Sequence, residues 1–152
     1  VLFFGTLQAS LLRETMSAKK TASHNHREKE KRIKLLLVDD EEGYVNVLSN
    51  RMSKRNIDVT KALSGTAGIR ALRNADFDVA VLDLKMEDMD GIEVLKIFKK
   101  MVPDMPVIML TGHGSAEAAR DGMEYGAHDY LIKPCDFAEL VEKIREAIRS
   151  RR

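Results

Sequence analysis

From position 33 onward the chain alternates short apolar runs with segments of helical periodicity. The runs at 33–38 (IKLLLV), 79–82 (VAVL), 106–110 (PVIML) and 130–132 (YLI) are almost continuously apolar, the pattern of strands buried on both faces. Residues 57–62 (IDVTKA) alternate instead, as an edge strand does. Helical spacing occupies 42–55, 65–74, 91–101, 115–125 and 136–149. It is clearest in the last, where Phe137, Leu140, Val141, Ile144 and Ile148 share one stripe and Asp136 with Glu139 has the form of a capping box. Five repeats of strand then helix predict an α/β fold with a five-stranded parallel sheet, doubly wound by helices on both faces. A βα barrel needs about 250 residues, and the chain has 152.

Charge divides the chain at the point where the pattern begins. The formal net charge is +1. Residues 1–32 carry seven Lys and Arg against three Glu, leaving 18 basic against 21 acidic residues in the body, so a leader of +4 precedes a body of −3. Residues 17–32 lack apolar periodicity and read as a solvated basic tail. The apolar stretch 1–12 is shorter than the roughly 20 residues that span a bilayer, and no positive segment precedes it as in a signal peptide, so no membrane insertion is expected. Phe3, Leu7 and Leu11 fall on one side of a short helix, and Met16 is an alternative start. His24 and His26 have ligand spacing but no third ligand. The expected organisation is a flexible basic leader at 1–32 and one domain at 33–150. The single Cys135 allows no internal disulfide and suits a reducing cytoplasm.

Chemistry concentrates where the predicted strands stop. They run into Asp39–Asp40, Asp83, Thr111 and Lys133–Pro134. In an open α/β sheet the ligand crevice lies beyond the carboxyl ends of the strands, so three carboxylates, a hydroxyl and an ammonium converge on one pocket. One Asp after a strand is commonly only a turn or cap residue; four strand ends with complementary groups are not explained that way. Clustered carboxylates repel and call for a cation, and an all-oxygen set with open positions favours Mg2+, with Mn2+ as a substitute. A carboxylate such as Asp83 beside that cation can attack phosphorus and form an acyl phosphate, with Lys133 and the metal balancing the phosphoryl charge.

These stretches, LLLVDDE at 35–41, VLDLKMEDMDG at 81–91, LTGHG at 110–114 and YLIKP at 130–134, resemble a response regulator receiver domain, the phosphorylated module of two-component and phosphorelay signalling, over about 33–150. The resemblance implies a flavodoxin-like sheet of order 2-1-3-4-5. It implies Asp83 as phosphoacceptor, and Asp40 as a metal ligand with Asp39 acting directly or through water. The backbone carbonyl of Lys85 would complete the metal contacts. Thr111 and Tyr130 become a switch pair, Lys133 the phosphoryl-contacting lysine, and the bond before Pro134 cis. Lys85 and His113 occupy positions similar to those that tune acyl-phosphate lifetime; an exposed loop residue is the other reading of His113, and a core aromatic that of Tyr130. The chain departs from the family pattern where Met-Pro is common: Met86 is followed by Glu87 and Asp88, either a solvated loop or a means of concentrating cations.

The expected function is a cytoplasmic, bacterial-type response regulator. It accepts phosphate from a sensor histidine kinase or phosphotransfer protein and then engages a protein target, or a second copy, through residues 115–149. It would not be an enzyme beyond its own phosphorylation and dephosphorylation. The −3 body disfavours direct nucleic-acid binding. A receiver fragment of a longer transcriptional regulator is an alternative. So is a phosphatase of the haloacid dehalogenase type, but that family's Asp-x-Asp follows its first strand, whereas Asp83-Leu84-Lys85 follows the third here. Flavin binding on the same fold fails because Asp39-Asp40-Glu41-Glu42 would repel the cofactor phosphate.

Overall fold

The computed structural model of the chain describes residues 30–112 and 116–151. Within them five strands alternate with five helices: β1 (Ile33–Val38), α1 (Glu42–Ser53), β2 (Ile57–Ala62), α2 (Gly65–Asn74), β3 (Val79–Asp83), α3 (Gly91–Met101), β4 (Val107–Gly112), α4 (Ala116–Glu124), β5 (Asp129–Lys133) and α5 (Phe137–Ser150). All strand pairs are parallel, in the order β2-β1-β3-β4-β5. This is the doubly wound sheet that the periodicity and the resemblance predict.

Because successive strand residues point to opposite faces, each central strand feeds two cores. Leu35, Leu37, Val79, Val81, Ile108 and Leu110 pack against Val45, Leu48 and Met52 of α1 and Leu140, Val141 and Ile144 of α5. Leu36, Val38, Ala80, Leu82, Val107 and Met109 face the other way, onto Leu72 of α2 and Val94, Leu95 and Phe98 of α3. Cys135 is free and half-buried at the edge of the first core. Met52, Met105 and Met109 are fully buried and fill core volume as apolar side chains.

Local signals set the helix ends. Ser64, Asp90 and Asp136 accept hydrogen bonds from the Ala67, Ile92 and Ala138 amides and cap α2, α3 and α5. After α1, which stops two residues short of the expected 55, Asn56 takes a positive φ of 65° and turns the chain into β2. Gly126 does the same after α4 with φ 98°.

Two sequence expectations are corrected. The run at 130–132 has the pattern of a strand buried on both faces, yet β5 is an edge strand, and Tyr130 and Ile132 are 40% and 49% exposed. Only Leu131 turns into the core. Second, Asp83, Thr111 and Lys133 lie inside their strands, which run one or two residues past the apolar stretch, because ladder pairing continues to Asp83↔Leu110 and Gly112↔Lys133. The readings made for 1–29 and for His113 fall outside the described residues. Among the described residues no helix is long and apolar enough to cross a membrane.

Candidate functional site

Strand register assembles the site. Val38 pairs with Leu82, so the next residues, Asp39 and Asp83, leave adjacent strands side by side. Asp83 pairs with Leu110, which brings Thr111 one step beyond it, and Thr111 pairs with Ile132, which places Lys133 one step further. Asp39, Asp83 and Thr111 are the buried polar side chains among the described residues, at 1%, 4% and 3% exposure. Burial of polar groups is thus confined to this crevice, where it costs free energy unless the groups are satisfied.

The three carboxylates of Asp39, Asp40 and Asp83 each present an oxygen within 4.8 Å of the others. Backbone amides hold them: Glu41 N–H donates to Asp39 Oδ1 at 3.0 Å, Lys85 N–H to Asp83 Oδ1 at 3.1 Å and Glu87 N–H to Asp40 Oδ2 at 3.2 Å. The expectation that a cation is needed to relieve the cluster is met in part by the protein itself. Lys133 Nζ lies 2.5 Å from Asp39 Oδ2 and 3.7 Å from both Asp83 Oδ2 and Glu41 Oε1. The hydroxyl of Thr111 donates to the Gly112 carbonyl at 3.0 Å. The Lys133–Pro134 peptide bond is cis.

Electrostatics follow from this packing. Burial pushes the Asp83 carboxyl above its usual range, and the neighbouring Asp39 and Asp40 add to the rise; the Lys85 amide and the Lys133 ammonium oppose it without reversing it. Burial alone would lower Lys133, but its hydrogen bond to Asp39 and the charges of Asp39, Asp83 and Glu41 outweigh that and raise it. Lys133 therefore stays charged, while Asp83 holds its charge less readily than an exposed aspartate does.

The structure also brings in residues that sequence reasoning missed. Tyr44, in the first turn of α1, lies beneath Lys133 with its ring centroid 4.5 Å from Nζ, a cation–π contact. Burial, then Cys135 and Asp39, push its hydroxyl well above the usual phenol range. Beside Val45 and Leu48 it has the spacing of an ordinary core residue, so no local signal marks it. Asp88 is exposed, as a solvated loop residue is, but its carboxylate is also bound to the protein, accepting from the Gly65 and Thr66 amides. Lys85 is exposed, and its backbone bridges to Asp90. Tyr130 is not a core aromatic, its ring standing out from the edge strand.

Comparison with known proteins agrees with the geometry. Residues 35–145 match the family model of the response regulator receiver domain. The chain is 38% identical over 114 residues to the transcriptional regulatory protein GlrR of Escherichia coli K12, covering 75% of this chain and 26% of that protein. It therefore spans about a quarter of that relative's length. Among solved structures it resembles the receiver domain of the Francisella response regulator 1452 (TM-score 0.74, 30% identity, 80% of this chain and 100% of that one). A CheY-like receiver domain protein from Methanospirillum hungatei JF-1 is similar at TM-score 0.76 and 30% identity, over 79% and 96% of the two chains. A family match over most of the chain, a sheet of the same order and a crevice of strand-end carboxylates lead to one conclusion: the chain belongs to the response regulator receiver domain family.

Proposed function

We propose that Asp83 accepts a phosphoryl group from the phosphohistidine of a sensor kinase or phosphotransfer protein, as the receiving step of a two-component or phosphorelay pathway. The observation that carries this is the placement of a buried carboxylate of raised pKa among Asp39, Asp40 and Lys133. The all-oxygen donor set of Asp39, Asp40 and Asp83 fits a hard divalent cation, Mg2+ or Mn2+ in its place, with the Lys85 backbone carbonyl as a further ligand. When bound, that cation neutralises charge on the transferred phosphoryl oxygens.

The protein's own groups do the rest. An Asp83 carboxylate oxygen forms the new bond to phosphorus as the phosphorus–nitrogen bond to the donor imidazole breaks; the electron pair stays on that nitrogen, and the imidazole leaves neutral, its other ring nitrogen protonated from solvent. Lys133 exchanges its contact with Asp39 for a phosphoryl oxygen. Thr111 turns its hydroxyl from the Gly112 carbonyl to the same group. Tyr130, now exposed on β5, moves toward the space that Thr111 vacates, which shifts the population of the surface formed by residues 115–149. That surface meets a protein target or a second copy. Lys85 and His113, two positions after Asp83 and Thr111 in the chain, set the lifetime of the phosphoryl group. The only chemistry required is the domain's own phosphorylation and dephosphorylation, and its −3 charge directs its output to protein rather than DNA. The whole protein is either a single-domain regulator or the receiver part of a longer transcriptional one, like the relatives it matches.

Full-length protein incubated with phosphoramidate and Mg2+ is expected to gain one acid-stable, base-labile phosphoryl group, and Asp83→Asn to gain none. Stoichiometric labelling of the variant would refute Asp83 as acceptor.

A further inference from the structure

The loop that follows Asp83 lacks the proline common in this family, yet the structure ties it down at both ends. At its start Lys85 N–H donates to Asp83 and Glu87 N–H to Asp40. A proline at 87 has no N–H and would forfeit the second of these bonds. At its far end Asp90 caps α3 and the Gly91 amide donates to the Leu84 carbonyl at 3.1 Å.

Between these points Asp88 reaches a different element. Its Oδ1 accepts from the Gly65 amide at 3.0 Å, and its Oδ2 accepts from the Thr66 amide and the Thr66 hydroxyl, each at 3.0 Å. Those bonds, led by the Thr66 and Gly65 amides, hold its carboxyl below the usual range, so it is charged throughout the neutral region. The first turn of a helix has amides with no partner inside the helix, and one capping residue ordinarily satisfies part of them. Here the cap is divided. Ser64 takes the Ala67 amide, and Asp88, from a loop more than twenty residues away, takes the two before it. The packing at this junction leaves no slack: a Cβ added to Gly65 would lie 2.8 Å from Val94 Cγ2 and 3.0 Å from Met89 Cβ.

We propose that Asp88 is a positioning residue of the phosphoryl-accepting site, which by completing the α2 cap anchors residues 84–90 and so aligns the Glu87 amide with Asp40 and the Lys85 carbonyl with the cation position. It supplies by hydrogen bonding the stiffness that a proline supplies covalently, while leaving residue 87 able to donate. The inference rests on the function proposed above for Asp83 and names a residue outside its ligand set.

Helix capping as such and loop positioning separate in a comparison of Asp88→Ala with Ser64→Ala, which removes the other half of the same cap. Binding of Mg2+ alone to the full-length chain is measured by titration calorimetry, with thermal unfolding recorded for each variant. Asp88→Ala is expected to weaken Mg2+ binding about tenfold, the usual scale for losing a group that orients a ligand. Ser64→Ala is expected to lower the melting temperature comparably and leave Mg2+ affinity at the wild-type value. Asp88→Asn keeps one acceptor oxygen toward the amides and falls between Asp88→Ala and wild type; it carries the comparison if the alanine variant does not fold. Unchanged Mg2+ affinity in the Asp88 variants, or equal weakening in Ser64→Ala, would overturn the proposal and leave Asp88 as a helix cap only. Failure of the wild-type chain to bind Mg2+ would instead overturn the reading of the Asp83 site from which it starts.

Discussion

Lys133 stands between two buried carboxylates and above an aromatic ring, and each contact has a consequence. With its ammonium shared between Asp39 and Asp83, it lowers the cost of keeping both charged and competes with any cation for the same oxygens. Lys133→Ala is therefore expected to slow phosphorylation by small donors roughly a hundredfold, the scale of losing one charge-stabilising donor. Mg2+ binding should become tighter rather than weaker, which calorimetry would read directly. At the edge of the sheet, Asp129 accepts from Lys143 Nζ at 2.6 Å and from the Tyr130 amide at 2.8 Å. Burial alone would raise its carboxyl, but these bonds outweigh burial and hold it below the usual carboxylate range. A carboxyl depressed in the folded state stabilises above its unfolded pKa, and that stabilisation disappears as pH falls through the folded one. Asp129→Asn should cost at most about 1 kcal/mol at pH 7, since the pair is partly exposed. The difference from wild type should shrink below pH 4, as urea unfolding at the two pH values would show.

At the scale of elements, the close approach of α3 to β3 decides how Asp83, the proposed phosphoacceptor, is presented. A Cβ on Gly91 would sit 2.4 Å from Leu84 Cα and 2.7 Å from the Asp83 carbonyl oxygen. Both contacts are with backbone, so no side-chain rotation relieves them, and the loop after β3 has to move. Gly91→Ala should cost about 1–3 kcal/mol, the range for overpacking, and should slow labelling of Asp83 as well. Chemical unfolding and phosphoramidate labelling of the same sample would check both effects. An unfolding cost without any change in labelling would mean that the loop absorbs the shift without disturbing Asp83. The periods of 2 and 3.6 made these elements legible, and the strand ends that run one or two residues past the apolar stretch are those where ladder pairing continues. Edge position was harder to read. The run Tyr130–Leu131–Ile132 has the composition of a central strand, and only its place at the end of the order β2-β1-β3-β4-β5 leaves two of the three residues open to solvent.

For the molecule as a whole, a cation that binds the folded crevice and not the unfolded chain must raise stability by mass action. At a Mg2+ concentration a hundred times the dissociation constant the gain is about 2.7 kcal/mol, or roughly 10 °C in melting temperature for a domain of this size. Calorimetric melting with and without Mg2+, and after chelation, would show it, and Asp40→Asn should lose most of the gain. The near-neutral overall charge says little about such a site, because the acidic groups that matter are gathered by topology at one end of the sheet. Most of that topology follows from the sequence by itself. Strand and helix succession, parallel winding, and Asp39, Asp40, Asp83, Thr111 and Lys133 at the strand ends are local or periodic features, and buried apolar runs advertise them. What only the tertiary structure decided is which of these groups touch. Lys133 lies on Asp39, Tyr44 beneath Lys133, and Asp88 on the amides of α2. Those contacts join residues 89, 94 and more than twenty positions apart, and hydrogen bonds act over about 3 Å. Register and the packing of helices onto the sheet set such distances; residue type and spacing along the chain do not.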